Sequence, residues 1–419
     1  MEEKVIKKYL FITQSDLSSD DSNGRTLREV FSYIQDENIY CFCTVRRNVN
    51  ISASRSFCIE ESRLFRKKSF HIDAKPNFSK NIIGNSKVKK NPLTCFIRNI
   101  FWNISFLFWK RKYKKWIKAI NPDFIVFNPG DFLFMHKLVV YTSKVINKKM
   151  VIYNTEDYIF KTWNYLHKEN GFGFLYPLFR KRMVKIYKNT FSVTFLAMHN
   201  TEGLTSAYKA FFPNVIHKTV FHPSSIKGFE KTYKNVFPLR FYYCGALDKG
   251  RGDIMVKFSK ILRETIPSSE IIINGLAKTD FIDKLGDLQN IKYEGFVSYD
   301  EVVNKINETV ILLSINSMDE YNAKDKYHGF STKISDYVAS LNIIFHIGPS
   351  GDETNTIKKY GLGYVSETIE EIRNNLLVLK RDIDNNGKNK NIKNQMCFYQ
   401  KFLDIYFVAK QVKKMVEEC

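Results

Sequence analysis

A rhythm constrains this chain more than any single motif does. Short, uninterrupted apolar runs, among them "YLFIT" (9–13), "FIVFN" (124–128) and "MVIYN" (150–154), alternate with longer segments of helical periodicity. A strand wetted on one side alternates apolar with polar residues. A run without polar positions is buried on both faces, as in a parallel sheet covered by helices. The same reading places strands at 39–45, 192–197, 240–245, 270–274, 310–315 and 343–347. The rhythm lapses over "FHPSSIKGFEKTYKNVFP" and restarts near residue 240, and 419 residues are too many for one core. The expectation is an α/β protein of two Rossmann-like, doubly wound parallel-sheet domains, 1–230 and 231–390, with a hinge near 225–238. A last helical pattern in 391–419 is expected to pack back on the first domain, and 72–92 reads as a long basic loop.

Lys and Arg outnumber Asp and Glu by 65 to 43, a formal charge of +22 that calls for an anionic partner: nucleic acid, an anionic membrane surface or phosphorylated substrates. No RRM, KH, zinc or helix-turn-helix signature is present, so nucleic acid is not the expected partner. Seven cysteines show no paired spacing, and Cys41 and Cys43 alternate so that both thiols share one strand face; a reducing cytoplasm suits them. The N-terminus runs into a strand rather than a signal peptide, and "NIFWNISFLFW" (99–109) is too short to span a bilayer. The expected location is cytoplasmic, with a peripheral position on the inner face of the membrane open to it.

In parallel α/β domains ligands bind beyond the carboxyl ends of the strands. After the first strand comes "DSNGRTL", with Gly24 read as the centre of a bare loop ahead of a helix N-terminus, where a phosphate or substrate can approach. "NPGD" (128–131) and "NTEDY" (154–158) follow middle strands. In the latter, Glu156 and Asp157 are candidates to contact an acceptor, or acids of a helix N-cap region. "GALDKGRGD" (245–253) sets Gly245 beside Lys249 and Arg251, which are cations for a diphosphate or a solvated basic turn. "NGLA" brings Gly275, and "EGFVS" brings Phe296 and Val297. In "YHGFSTKISDYVAS" (327–340), Ser331 or Thr332 can cap a helix beginning at Lys333, with Asp336 one turn in. A cation for phosphate and an acid for ribose at one helix start make a nucleotide site, unless the two pair with each other as i,i+3 neighbours. Neither G-x-G-x-x-G nor a Walker A run occurs, which argues against dinucleotide or P-loop chemistry.

The order of "SNGRTL", "FYYCGALDKGRG", "IKYEGFVSYDEV" and "FSTKISDYVASLNIIF" resembles a GT-B glycosyltransferase of the GT4-like group, enzymes that build bacterial surface polysaccharides. The last segment is similar to that family's P-S/T-K-x-x-E-Y-x-A-x-G-x-P-V-I helix. The resemblance implies two Rossmann-like domains facing a cleft and a nucleotide-sugar held mainly by the second. It further implies transfer with retention to a glycan or lipid-linked oligosaccharide, with no metal or other cofactor. It makes Asp336 the acid on the donor ribose, Arg251 a diphosphate cation and Gly24 the glycine facing phosphates and sugar. The backbone at Phe296 and Val297 becomes the contact to the base. Gly245, Lys249, Gly275, His328, Ser331, Thr332 and Lys333 complete the implied donor site.

The chain departs from that family at four places, one of them Leu341-Asn342 where a small-Gly pair is usual, a looser turn only. Ala246 stands where an arginine is usual, so one diphosphate cation is missing or is supplied by Lys333. His328 stands for the first acid of E-x7-E, with Glu320 and Asp325 nearby. Glu156 and Asp157 replace a histidine expected after a middle strand. The groups expected to act in catalysis are therefore Arg251 and Lys333 on the developing diphosphate charge, and Glu156 or Asp157 at the acceptor or reacting carbon. Asp382-Ile383-Asp384 lies in a polar stretch and reads as surface charge rather than a metal site.

In 96–120, Trp102, Trp109, Tyr113 and Trp116 beside the run from Lys110 to Lys115 suit the interfacial zone of an anionic membrane, and 171–188 repeats the theme. Both segments read equally as core helices with basic outer faces, and the two readings can coexist, one face packing while the other touches lipid headgroups. Two other functions compete with transfer. One is a catalytically inactive GT-B subunit of a polysaccharide assembly complex, which Ala246 and His328 make conceivable. The other is a basic nucleic-acid-binding protein.

Overall fold

The computed structural model describes residues 6–14, 17, 22–45, 55–60, 90–166, 171–229, 238–277, 279–286, 288–309 and 311–418. Most of the basic loop at 72–92 and much of the hinge at 225–238 lie outside them. The chain divides into two compact units, Met1–Val220 with Ala409–Cys419, and Phe221–Val408. This division falls ahead of the boundary read at 230/231, and it splits the segment 391–419.

In the first unit the order is β1 (Tyr9–Ile12), α1 (Ser22–Val30), β2 (Ile39–Cys43), β3 (Ser56–Cys58), α2 (Pro92–Ile120), β4 (Phe124–Phe127), α3 (Leu133–Ile146), β5 (Met150–Asn154), α4 (Tyr176–Phe191), β6 (Thr194–His199), α5 (Glu202–Phe211) and β7 (Ile216–Thr219). All pairings are parallel, and the sheet order is β3-β2-β1-β4-β5-β6-β7. The second unit runs β8 (Arg240–Cys244), α6 (Arg251–Thr265), β9 (Glu270–Asn274), α7 (Thr279–Gly286), β10 (Ile291–Gly295), α8 (Tyr299–Glu308), β11 (Ile311–Ile315), α9 (Glu320–Lys326), α10 (Thr332–Ala339), β12 (Ile343–Ile347), α11 (Asp352–Lys359), β13 (Tyr364–Ser366), α12 (Ile369–Asn386), α13 (Ile392–Phe398) and α14 (Ile405–Glu417). Its sheet is also parallel, ordered β10-β9-β8-β11-β12-β13. From Ala409 onward α14 belongs to the first unit, where Glu417 accepts from Tyr9 Oη and Lys7 Nζ beside β1.

The apolar runs are explained by two-sided burial. On β8, Phe241 and Tyr243 enter one core while Tyr242 enters another; on β12, Phe345 and Ile344 divide the same way. With side chains alternating across the sheet and helices on both faces, both sets of positions are buried; Ser314 on β11 and His346 on β12 are buried polar exceptions, and His346 bonds Thr354. On β2, Phe42 packs into the main core of the first unit, and Cys41 and Cys43 are buried free thiols on the opposite face.

Helix α2 decides between the two readings of its aromatics. Trp102 and Tyr113 are fully buried, Trp109 nearly so, and Trp116 packs against Phe57 and Tyr113. The aromatics assigned to a membrane interface are spaced seven, four and three residues apart, so they share one helix face, and that face is turned to the core. The helix starts at a capping box between Asn91 and Thr94 with Pro92 in the first turn, and ends at Asn121 in the left-handed region.

Candidate functional site

Each sheet reverses its winding beside its first strand, between β1 and β4 in one unit and between β8 and β11 in the other. Loops diverge at such points and leave a crevice at the carboxyl ends.

In the first unit this crevice is a cavity of about 220 Å³, lined among others by Gln14 after β1, Asn23 and Gly24 of α1, Asp131 after β4, Glu156 and Tyr158 after β5, and Lys90. Gly24 is not in a loop as expected: helix α1 already begins at Ser22, so the glycine sits in its first turn and presents backbone to the cavity. Asp131 is 9% exposed and accepts from Lys90 Nζ and from Tyr165 Oη at 3.1 Å. Burial alone would lower the Lys90 pKa; the Asp131 charge and hydrogen bond outweigh it and raise it above the ordinary lysine value.

The two acids of "NTEDY" separate. Glu156 faces the cavity and accepts from Tyr158 Oη at 2.9 Å. Asp157 is buried and accepts from the backbone N–H of Ile159 and Phe160, both at 3.0 Å, so it closes the turn that presents Glu156. Behind the loop, fully buried His136 donates from Nε2 to Gly130 O (2.8 Å), and its Nδ1 lies 3.1 Å from Thr190 Oγ1. Burial pushes this imidazole down to about 4, so a neutral ring holds Gly130 in place. A Cβ at Gly130 would meet Gln14 Nε2 at 2.8 Å, which is how the loops after β1 and β4 come so close.

In the second unit, three loops interlock at the carboxyl ends of β8, β9 and β11. Gly275 has φ +156°, and a Cβ there would lie 1.9 Å from Gly245 O. Gly250 has φ +78°, and its Cβ would press on Ser317 Oγ and Asp319 Oδ2. Lys249, at φ 53°, completes the tight turn into α6. Arg251 donates from Nη1 to Ala246 O (3.0 Å) and Asp248 Oδ1 (3.2 Å), which lays its guanidinium back over this turn.

Helix α10 starts at Thr332, one residue before the expected Lys333; Ser331 stands at the N-cap without a side-chain cap hydrogen bond, and its N–H instead donates to Glu353 Oε2 at 2.7 Å. Lys333 Nζ lies 4.7 Å from the centre of the Tyr243 ring. Burial lowers the Lys333 pKa to about 8; Glu353 opposes the shift and Arg251 adds to it. The two expected phosphate cations are therefore close enough to repel.

Asp336 is engaged elsewhere. It is 4% exposed, with Oδ1 accepting from Ser224 Oγ (2.6 Å) and Oδ2 from Tyr299 Oη (3.1 Å). His328 Nδ1 lies 3.2 Å from Asp352 Oδ2. Phe296 is exposed, Val297 is partly buried, and Gly295 O receives the Gly275 N–H at 2.9 Å. Asp382 lies on α12 and accepts from Tyr364 Oη and Lys390. Among the described residues no group of His, Cys, Asp and Glu has the arrangement of a metal site.

Lys90, Asp131 and Glu353 were not among the site residues expected from sequence. Asp131 was within reach, in the "NPGD" quoted after a middle strand. Lys90 and Glu353 meet their partners only through the fold.

No family model matches this chain, and no curated protein matches it. Solved structures do. HepE of Anabaena, in complex with UDP and glucose, aligns with TM-score 0.60 at 11% identity over 99% of this chain and 100% of that one. The lipopolysaccharide outer core galactosyltransferase WaaB, in its apo form, aligns with TM-score 0.59 at 13% identity over 98% and 100%. WaaG, a glycosyltransferase involved in lipopolysaccharide biosynthesis, aligns with TM-score 0.56 at 10% identity over 97% and 99%. Two doubly wound parallel-sheet units in this order, matched nearly end to end, give the chain the GT-B fold.

Proposed function

We propose that the protein is a nucleotide-sugar-dependent glycosyltransferase. In this reading it transfers a hexosyl or related sugar, with retention and without a metal, to a glycan or lipid-linked oligosaccharide acceptor of surface polysaccharide biosynthesis. One observation carries the reading: Lys333 and Arg251 gather at the carboxyl ends of the central strands of the second unit, beside the N-terminus of α10, and Lys333 is held near 8. A diphosphate added there relieves the repulsion between the cations and meets the free N–H groups of the helix. The glycine loops of β8 and β9 leave backbone without side chains to approach it.

The chemistry follows from charge. As the sugar departs, negative charge builds on the diphosphate; Lys333, Arg251 and the helix terminus stabilise it more than they stabilise the ground state. No metal need supply that charge. Asp336 takes a ribose hydroxyl when Tyr299 Oη yields its place. In the first unit, Glu156 and Asp131 accept hydrogen bonds from sugar or acceptor hydroxyls, and Lys90 holds the Asp131 carboxylate in place. The structural relatives support this reading: HepE was solved with UDP, and WaaB and WaaG serve lipopolysaccharide synthesis.

The test is a thermal-shift panel of UDP, GDP, ADP, CMP and their sugars on the wild type and on Lys333→Ala. Stabilisation by one nucleotide, lost in the variant, is expected. No stabilisation by any of them would transfer support to the inactive-subunit reading.

A further inference from the structure

We infer that Glu353 is a positioning residue of the second crevice: its carboxylate holds the backbone at the start of α10 and is the counter-ion with which a diphosphate competes for Lys333. The inference deepens the transferase reading and rests on its placement of the diphosphate beside Lys333. Glu353 stands in the first turn of α11 and is 5% exposed, yet it is held by groups from the start of α10 and the end of β11. Its Oε2 accepts from the Ser331 N–H at 2.7 Å, and its Oε1 accepts from Asn316 Nδ2 at 3.0 Å and Ser314 Oγ at 3.5 Å. Ser331 makes no side-chain cap bond, so a carboxylate 22 residues further on takes part in fixing that helix start. The amides that follow, of Thr332 and Lys333, have no partner inside the helix by its geometry and are left for a ligand.

A buried carboxylate is costly unless something answers its charge, and an amide, a carboxamide and a hydroxyl answer only part of it. One basic neighbour is His346 of β12, fully buried, with Nδ1 3.7 Å from Glu353 Oε1. Its Nε2 lies 3.0 Å from Thr354 Oγ1, and burial pushes the imidazole down to about 4, so at neutral pH it brings no charge. Lys333 is the neighbour that does. The groups facing it are Glu353 from α11, Arg251 from α6, and Cys244 and the Tyr243 ring from β8. Burial and Arg251 lower this lysine, while Glu353 and the Cys244 thiol raise it. Two effects of opposite sign follow from the one carboxylate. Without it Lys333 gives up its proton at a lower pH, and with it an incoming diphosphate meets a negative charge as well as two positive ones. Glu353 therefore weakens diphosphate binding at low pH and preserves it at high pH.

The test is Glu353→Gln, nearly isosteric and still able to accept from the Ser331 N–H, beside Glu353→Asp, which keeps the charge; thermal midpoints check folding. Affinity for UDP and for inorganic pyrophosphate is measured by titration calorimetry from about pH 6.5 to 9. The protonation of Lys333 is read separately, in nucleotide-free protein, from the pH dependence of its acylation by trace acetic anhydride, mapped by mass spectrometry. Glu353→Gln should lower the Lys333 inflection by about one pH unit, the influence of one facing carboxylate. Its affinity should then be about twofold above wild type at the low end of the range and about threefold below it at the high end, so the two profiles cross. Glu353→Asp should keep the wild-type inflection. A role in packing alone would lower affinity at every pH and leave the inflection in place, and that result overturns the inference. So does an inflection that Glu353→Asp moves as far as Glu353→Gln, since position rather than charge would then be at work. If neither UDP nor pyrophosphate binds at any pH, the diphosphate reading falls, and the acylation profile alone decides whether Glu353 is the counter-ion of Lys333. If both bind and Glu353→Gln leaves the profiles parallel, the inference falls and the diphosphate reading stands.

Discussion

The two units place a crevice at the same topological position and fill it with opposite chemistry. Among the described residues, the crevice beside β1 and β4 holds two carboxylates, tyrosine hydroxyls and carboxamides, with one lysine tied to Asp131. Beside β8 and β11 it holds Lys333 and Arg251, tight glycine turns and a helix N-terminus. The first set suits neutral hydroxyls, the second a diphosphate. Doubly wound topology says where a ligand goes; the side chains at the strand ends say which ligand. A protein that must hold a nucleotide and also handle a sugar benefits from having both.

The largest expected effect comes from removing the cation of the second crevice. Lys333→Ala should lower kcat/KM by about 10³, near 4 kcal/mol, and abolish nucleotide stabilisation, since one preorganised charge on a developing anion carries that order of effect. The same variant should leave acceptor affinity unchanged; an equal loss of both would break the division between the crevices.

Backbone rather than charge separates the units next. Gly275→Ala should cost about 3 kcal/mol in stability, read as a lowered Tm, because the new Cβ meets Gly245 O at 1.9 Å and backbone cannot step aside. Gly130→Ala should cost less than about 1 kcal/mol, because it meets only the flexible end of Gln14. Equal losses would mean that the interlocked loops of the second unit can relax.

In the first crevice, Glu156→Gln should reduce kcat by about 50-fold with nucleotide affinity intact, and Asp157→Asn should act on stability, since Asp157 bonds the Ile159 and Phe160 N–H groups. A Glu156→Gln protein that loses nucleotide stabilisation would place that acid on the donor phosphates and dissolve the contrast.

How much of this was legible beforehand follows a physical line. The strands found by their apolar runs are the interior ones. The strands missed, β3, β7, β10 and β13, are the four sheet edges, where one side meets solvent and the run is broken: "IHKT" of β7 alternates between exposed and half-buried residues. Lys333, Arg251 and their glycines were legible because a cap, a cation and a turn lie within a few residues of each other. Lys90 was not, because it meets Asp131 across 41 residues; nor was Glu353, which reaches Ser331 across 22. Helix α2 misled through abundance. It carries apolar residues on both sides of its first half, and only burial shows that the tryptophans face in and Leu107 and Phe108 face out.

The smallest effect is the sharpest probe of the contrast. Burial and Arg251 bring Lys333 to about 8, so in the free protein it is charged below that pH and loses its charge above it. A diphosphate binds the charged form. Nucleotide affinity should therefore hold from about pH 7 to 8 and then fall, approaching tenfold per unit, which is about 1.4 kcal/mol. Binding in turn favours the protonated lysine, so kcat at saturating donor should show the inflection at a higher pH than affinity does. Lys333→Arg keeps its charge throughout this range and should give a flat affinity profile, even if the different fork lowers the affinity itself. Lys90 in the first crevice is raised rather than lowered by Asp131, so it does not mimic the inflection. Titration calorimetry across this range decides it: a wild-type profile as flat as that of Lys333→Arg would take Lys333 off the diphosphate, and with it the cationic half of the comparison.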